Sequence, residues 1–471
     1  MDFFRNKRLE IGDWRLRKLP NLQSLISNLI LLFIPIIYLA TLAQTPVLGD
    51  PTEFTFVSYI MGIAHPPGYA LMTVLGKLIQ TLVPVGTIAW RSHLLSAVAG
   101  TLTSLFVFGS VHTSTQNLAG LQPKVAQNLR GLSLIAGLFA ALSVATAVNH
   151  WQHSIHTNPH IITGTFLVAN LYFLTKWWAS GNNKWLYIFS FSAGLGITHH
   201  PLTVFGFVGY AVFIVAVRPS ILRDWKTLLK LVLMALLGLT VWLYFPIRSP
   251  LNPALGPTSM NTLTGFLDHI LARGLTESLP FYTLADQPQR QIIFTALLRL
   301  QYSLPTILLA LFGLVWLLFG KVQVASMQVT SSPHHPTPHH SITPSPRHLI
   351  ILYMLPALIT YVFVISLRQQ DIMAYLIGPF AVIGLWAGLG LFGLLTGVQT
   401  VSLRRSQLAT LLLAIFFFLT GPIYQFSQNA PLISLRHYRE GQDYTEAVFN
   451  WFEGQNEGAV LLNDWEHMTP L

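Results

Sequence analysis

The feature that most constrains this chain is a series of apolar runs too long for a soluble core, beginning with "LQSLISNLILLFIPIIYLATLA" at 22–43. A hydrocarbon layer of roughly 30 Å takes about 20 apolar residues to cross as a helix. Inside it every backbone polar group must bond within the protein, which leaves helices or a closed barrel. Barrel strands alternate apolar and polar residues, and these runs do not. The predicted fold is therefore an all-α polytopic membrane protein. Composition agrees: 52% of the 471 residues are hydrophobic and 9% charged, with mean hydropathy +0.54, where soluble domains carry about a quarter charged. The formal charge of +10 is scattered and forms no basic stripe, so nucleic acid is excluded as a partner. Cysteine is absent, which removes disulfides and thiolate chemistry.

Crossing runs fall at 22–44, 93–111, 131–148, 161–177, 185–199, 201–217, 229–247, 303–320, 349–366, 372–396 and 407–426. The run at 67–83 differs. It places Leu71, Val74, Leu75, Leu78, Ile79 and Leu82 on one helical face and Thr73, Lys77, Gln80 and Thr81 on the other, as in a helix lying flat in the membrane interface. Basic residues accumulate at cytoplasmic ends. With 67–83 flat, the basic segment 1–21 shares a side with Lys176, Lys184, Arg218, Arg223, Lys226, Lys230, Arg404 and Arg405. The reading is about 11 spans in the plasma membrane, N-terminus cytoplasmic and C-terminus outside. The first run exceeds a signal-peptide core and reads as an uncleaved anchor. Within the membrane domain, 22–426, the His- and Pro-rich stretch 331–348 reads as a cytoplasmic linker. Residues 427–471 turn soluble and acidic, as the start of a small extracytoplasmic α/β unit that the chain leaves incomplete.

Between Pro20 and Gln425 the acidic residues are Asp50, Glu53, Asp224, Asp268, Glu277, Asp286 and Asp371, and all but Asp224 face outward in this topology. Asp50 and Glu53 stand where the first run emerges. A helix starting at Pro51 would make Asp50 its cap and set Glu53 on a neighbouring position. Partial burial and a close like charge tune such a carboxylate toward general-base work. In "HPPGY", Pro67 holds Pro66 out of helix and Gly68 permits a sharp entry into 67–83, so His65 would face the same space. His93, beside Arg91, reads as an interfacial anchor, and Trp151, Trp177, Trp178 and Trp185 as an aromatic belt. His153, His156 and His160 have spacings that zinc could use, although Pro159 interrupts their helix.

The blocks "GDPTEFTFVSYIMGIAHPPGYALMTVLGKL", "AWRSHLLSA", "GLGITHHPL", "YFPIRSPLNPALG", "FLDHI", "AYLIGPFAVIGLWAGLGL" and "AVLLNDWE" resemble the membrane proteins related to the transmembrane protein 260 O-mannosyltransferase, including bacterial members. The resemblance spans nearly the whole chain. It implies a GT-C glycosyltransferase fold with a flat helix in the first outer loop. Departures are Thr52 for the family's Gly, Thr157-Asn158-Pro159-His160 for its A-E-V-Y, and His199-His200 for its Asn-His.

That resemblance implies transfer of a sugar from a polyprenyl-phosphate-linked donor to a hydroxyl of a protein, lipid or glycan acceptor on the outer face, with inversion. Asp50 would be the base and Glu53 its support. Arg248 would hold phosphate, and His65, Arg91, His199, His200 and Asp371 would contact substrate. No cofactor is demanded, and a divalent metal is compatible. Two other classes stand beside this one. A transporter or lipid flippase would need ionisable residues inside spans or broken helices in matching halves. A non-catalytic relative stays open because Asn158 replaces the family's acid.

Overall fold

A computed structural model describes residues 20–118, 129–273, 281–320, 345–368, 371–399, 403–452 and 461–471. Helix α1 (Pro20–Thr41) leads through a loop into α2 (Asp50–Ile60) and α3 (Ala70–Leu82). The central bundle follows as α4 (Ile88–Asn117), α5 (Leu129–Ala145), the short α6 (Val148–Ser154), α7 (Pro159–Ser180) and α8 (Lys184–His199). Next come α9 (Gly206–Val217), α10 (Trp225–Leu239), α11 (Tyr244–Arg248) and α12 (Leu263–Ile270). The last third holds α13 (Gln287–Gln301), α14 (Leu304–Phe319), α15 (Pro346–Ser366), α16 (Ile372–Tyr375), α17 (Ile377–Gln399), α18 (Leu403–Phe418) and α19 (Tyr424–Ile433). Beyond them lie α20 (Glu440–Phe452) and α21 (Trp465–Met468).

Among the described residues, five helical stretches are long and apolar enough to cross a membrane alone: Ile88–Asn117, Trp225–Leu251, Pro346–Ser366, Ile377–Gln399 and Ser406–Ile433. Two pairs, α5 with α6 and Leu284–Gln301 with α14, qualify as spans bent by 68° and 110°. The basic segment before Pro20, Glu277 and most of the His- and Pro-rich stretch lie outside the described residues. The strand expected near 459 falls partly outside them, and 461–464 carry no regular structure.

Between helices in lipid there is little hydrophobic gain, so close packing of small residues does the holding. A methyl group added at Gly390 of α17 would stand 1.9 Å from the Leu309 carbonyl of α14. The same device joins α8 to α10, where a methyl at Gly194 would lie 2.2 Å from the Ala235 carbonyl. Around these crossings Trp177, Trp178 and Phe139 are fully buried. Trp151 is fully buried as well, so these three tryptophans belong to the core and form no belt. Trp185 alone among those named keeps partial exposure, with Lys176 and Lys184 over its ring at 5.5 and 5.2 Å.

The apolar face of α3 points outward, as a helix lying against lipid requires. The face of α3 that packs on the protein carries Thr73, Gly76 and Gln80, while Val74, Leu78 and Leu82 are exposed. Gln80 Nε2 donates to the Thr55 carbonyl at 2.9 Å and to Ser92 Oγ at 2.8 Å. The two ends of the bundle also differ. At one, Arg218 donates to Asn183 (3.2 Å) and pairs with Asp224, which caps α10 through the Thr227 amide. At the other, the start of α7 meets the end of α8, with the His199–Pro159 bond at 2.7 Å. Lys176, Lys184, Arg223, Lys226 and Lys230 lie near the first end.

Candidate active site

The second end collects the acids. Gly49, at φ 79°, turns the chain into α2, and Pro51 follows Asp50 in its first turn. The Asp50 side chain makes no cap bond, contrary to the expectation from sequence. Its Oδ1 instead accepts from Trp465 Nε1 at 2.7 Å. That contact exists because α21 docks on the same turn: Gly49 N–H donates to the Glu466 carbonyl (3.1 Å), and Thr469 Oγ1 donates to the Gly49 carbonyl (2.9 Å).

Glu53, one turn along, is 3% exposed and has both oxygens engaged by His65. Oε1 accepts from the His65 amide at 2.9 Å and Oε2 lies 2.5 Å from Nδ1. Buried carboxylates need such partners. Glu53 therefore orients His65 and does not support Asp50. Burial alone would push the His65 pKa down, but the hydrogen bond and charge of Glu53, with the charge of Asp50 behind it, outweigh burial and raise the pKa above its ordinary value.

The loop that presents His65 is held by a close approach. Gly68, at φ 89°, sits where a Cβ would come within 2.6 Å of the Phe245 ring, and His269 Nε2 donates to the Ala64 carbonyl at 3.0 Å. Tyr69, the next residue, joins the parts of the site. Its ring lies 4.8 Å from Phe54, 5.5 Å from His65, 5.8 Å from His199 and 5.5 Å from His200.

His199 is buried, its Nε2 bound to the Pro159 carbonyl. His200 accepts from the Leu202 amide through Nδ1 at 3.0 Å, which leaves its Nε2 as the proton-bearing nitrogen. His160 packs 4.1 Å from Tyr375 and 5.5 Å from His200. His65, Tyr69, His200 and Tyr375 form the polar part of a cavity of about 310 Å³ whose other walls include Phe205, Phe363 and Leu367. A mostly apolar lining with a few polar groups suits a ligand that carries both apolar and polar parts.

Other residues named from sequence serve the frame. Arg248 donates from Nη2 to the Ile60 carbonyl at 3.1 Å and from Nε to the Met61 carbonyl, closing the end of α2. Arg91 donates to the carbonyls of Gln80 (3.1 Å) and Val85 (3.0 Å), at the end of α3. His93 is no interfacial anchor: fully buried, it lies 2.7 Å from Thr157 Oγ1 and 3.1 Å from the Thr45 carbonyl. Asn158, in the place of the family's acid, caps α7 by accepting from the His160 (2.9 Å) and Ile161 (3.3 Å) amides. Asp371 stands 4.0 Å from His153 Nε2 with its side chain mostly exposed. His153, His156 and His160 do not converge on a common point for zinc. Among the described residues the group that could hold a metal is Asp50, Glu53 and His65, with ligand atoms within 4.8 Å of one another. A cation there would replace the Glu53–His65 bond. Sequence reasoning missed Trp465 and Tyr375, although both sit in quoted blocks, because nothing local signals a contact 415 residues distant.

Residues 50–221 match the family model described as the Protein O-mannosyl-transferase TMEM260 N-terminal domain. Protein O-mannosyl-transferase tmem260 of Dictyostelium discoideum is 28% identical over 273 residues, 53% of this chain and 31% of that protein. Protein O-mannosyl-transferase TMEM260 of Mus musculus is 26% identical over 308 residues, 63% of this chain and 39% of that protein. The chain thus spans about a third of the length of the curated relatives it matches. Among solved structures, ArnT from Cupriavidus metallidurans superposes with TM-scores of 0.58 bound to undecaprenyl phosphate and 0.60 in the apo state, at 11% and 12% identity over 95% of this chain and 84% of that one. At that identity the likeness shows the fold alone. Residues 50–221 thus resemble the TMEM260 N-terminal domain, and the helical bundle as a whole has the fold of ArnT.

Proposed function

We propose that the chain is a membrane glycosyltransferase that moves a sugar from a polyprenyl-phosphate-linked donor to an acceptor hydroxyl at the extracytoplasmic surface. The names of the relatives favour mannose as the sugar. One observation carries the assignment of the base. Glu53 has both oxygens on His65, whereas Asp50 has one oxygen on Trp465 and, among the described residues, none on Oδ2. A carboxylate held in place with one free oxygen can take a proton.

In this reading Asp50 Oδ2 accepts the hydroxyl proton as the acceptor oxygen bonds to the anomeric carbon. The bond from that carbon to the phosphate oxygen breaks, the phosphate leaves with the electron pair, and the sugar inverts. His65, whose pKa Glu53 and Asp50 raise against burial, adds positive charge next to the reacting centre when it carries its proton. The cavity beside Tyr69 and His200 takes the sugar. The gathering of Lys176, Lys184, Arg223, Lys226 and Lys230 at the far end supports an outward-facing site, in a multi-pass protein of the cell membrane.

The test incubates purified protein with radiolabelled polyprenyl-phosphate mannose and an acceptor mixture. Label in a new glycosidic bond supports the reading. Label that crosses liposomes without forming such a bond would assign the protein to transport instead.

A further inference from the structure

Asp371 is an acid whose oxygens no side chain engages among the described residues. The other described acids between Pro20 and Gln425 all hold a donor: Asp50 has Trp465, Glu53 has His65, Asp224 has Arg218, Asp268 has Arg273 and Asp286 has Thr283. Asp371 stands at the start of α16, yet its side chain makes no cap bond there. Its ion-pair neighbour, His153 Nε2, is 4.0 Å away, too far for a hydrogen bond.

His153 does not close that gap. It is 4% exposed, and its Nδ1 lies 2.7 Å from the Asn149 backbone carbonyl. A carbonyl only accepts, so Nδ1 carries the proton and Nε2 of the neutral ring turns a lone pair toward the carboxylate. Two acceptors therefore face one another. Asn149 fixes the arrangement from both sides. Its carbonyl takes His153, and its Nδ2 donates to the Met373 carbonyl at 2.5 Å, two residues beyond Asp371. Its own amide donates to Gln301 Oε1 at 2.8 Å, which ties the start of α6 to the end of α13.

The place of this pair says what its donor belongs to. At its other end α16 carries Tyr375, a wall of the cavity that holds His65 and His200. Burial pushes the Asp371 pKa above its ordinary value, and the charge of Asp50 adds to that push against the pull of His153 and the Ala374 amide. The two carboxylates are thus near enough to feel one another. A molecule seated between them meets acceptors on both sides, which favours N–H and O–H groups and repels phosphate or carboxylate. We propose that Asp371 docks the acceptor, and that the acceptor is a neutral or basic molecule with at least one hydrogen-bond donor besides the hydroxyl that reacts. Amides of a peptide or neighbouring hydroxyls of a glycoside meet that chemistry, whereas a lipid with a phosphate headgroup does not. The docking role rests on the glycosyl-transfer reading above, but the binding of a donor group at Asp371 stands apart from it.

The experiment titrates three hydroxyl-bearing probes into the parent, Asp371→Asn and Asp371→Lys in nanodiscs: a threonine peptide with blocked ends, methyl α-mannoside and short-chain phosphatidylglycerol. The Asp371 side chain is 63% exposed, so both variants spare the core, and melting temperatures check folding. Loss of a hydrogen bond to a charged acceptor weakens binding roughly tenfold. The expected result is that loss for the peptide or the glycoside in Asp371→Asn, and a larger one in Asp371→Lys. Phosphatidylglycerol should bind Asp371→Lys better than the parent. In the transfer assay the same loss should appear in the KM for acceptor, with the KM for donor unchanged. Binding of the peptide alone or of the glycoside alone supports the proposal and identifies the source of the donor groups. Unchanged affinity for the neutral probes in folded variants overturns it, as does a parent that binds neither neutral probe or binds phosphatidylglycerol as tightly as either. Neutral probes that bind through Asp371 but receive no sugar count against the proposed activity and leave the site standing.

Discussion

Glu53→Gln isolates the contribution of the buried carboxylate that organises the site. Gln keeps the shape and still offers an oxygen to the His65 amide, now 2.9 Å from Oε1. It loses the charge that holds His65 Nδ1 at 2.5 Å. A hydrogen bond to a charged group contributes about 1.5–3 kcal/mol, so about 2 kcal/mol is at stake while His65 is protonated. Because the folded pKa of His65 is raised by Glu53 and Asp50 against the effect of burial, this stabilisation is full below the unfolded value of about 6.5. It then declines as pH rises through the higher folded pKa. Thermal unfolding of the parent in detergent should therefore lose about 2 °C, at about 1 °C per kcal/mol for a chain of 471 residues, between pH 6 and pH 9 relative to Glu53→Gln. The two proteins should differ most at pH 6. Melting curves whose pH dependence is parallel in the two proteins would refute the ion-pair account.

Trp465→Phe keeps the ring beside His65, 6.0 Å away, but removes the donor to Asp50. Turnover should fall about tenfold with KM little changed, read in the transfer assay. Gly390→Ala forces α14 and α17 apart, because the added methyl meets the Leu309 carbonyl at 1.9 Å. A loss of about 1–3 kcal/mol or more is expected in melting experiments, whereas Gly397→Ala, with open space around it, should be neutral. The chain lacks cysteine, so single-cysteine labelling is clean. Glu466→Cys should react with an impermeant maleimide in intact cells, and Asn182→Cys only after permeabilisation.

The order of helices was legible in the sequence because crossing a bilayer demands length and apolarity, and both can be read locally. The burial of the tryptophans was not. Trp151, Trp177 and Trp178 face inward, because the alphabet of lipid-facing and protein-facing positions is the same. In the site, Asp50, Glu53 and His65 could be grouped from their spacing and the turn at Gly68. The division of labour between the two acids could not, since it depends on Trp465 reaching Asp50 and on His65 occupying both oxygens of Glu53. Arg248 and Arg91 looked like ligands because charge is rare here, yet both hold the carbonyl ends of short helices.

The most direct measurement of the central claim compares sugar transfer by the parent and by Asp50→Asn, whose side-chain oxygen can still accept from Trp465. With folding verified by an unchanged melting temperature and donor binding retained, turnover should drop by roughly 10² to 10⁴. Turnover within about threefold of the parent would contradict the assignment of Asp50 as the base.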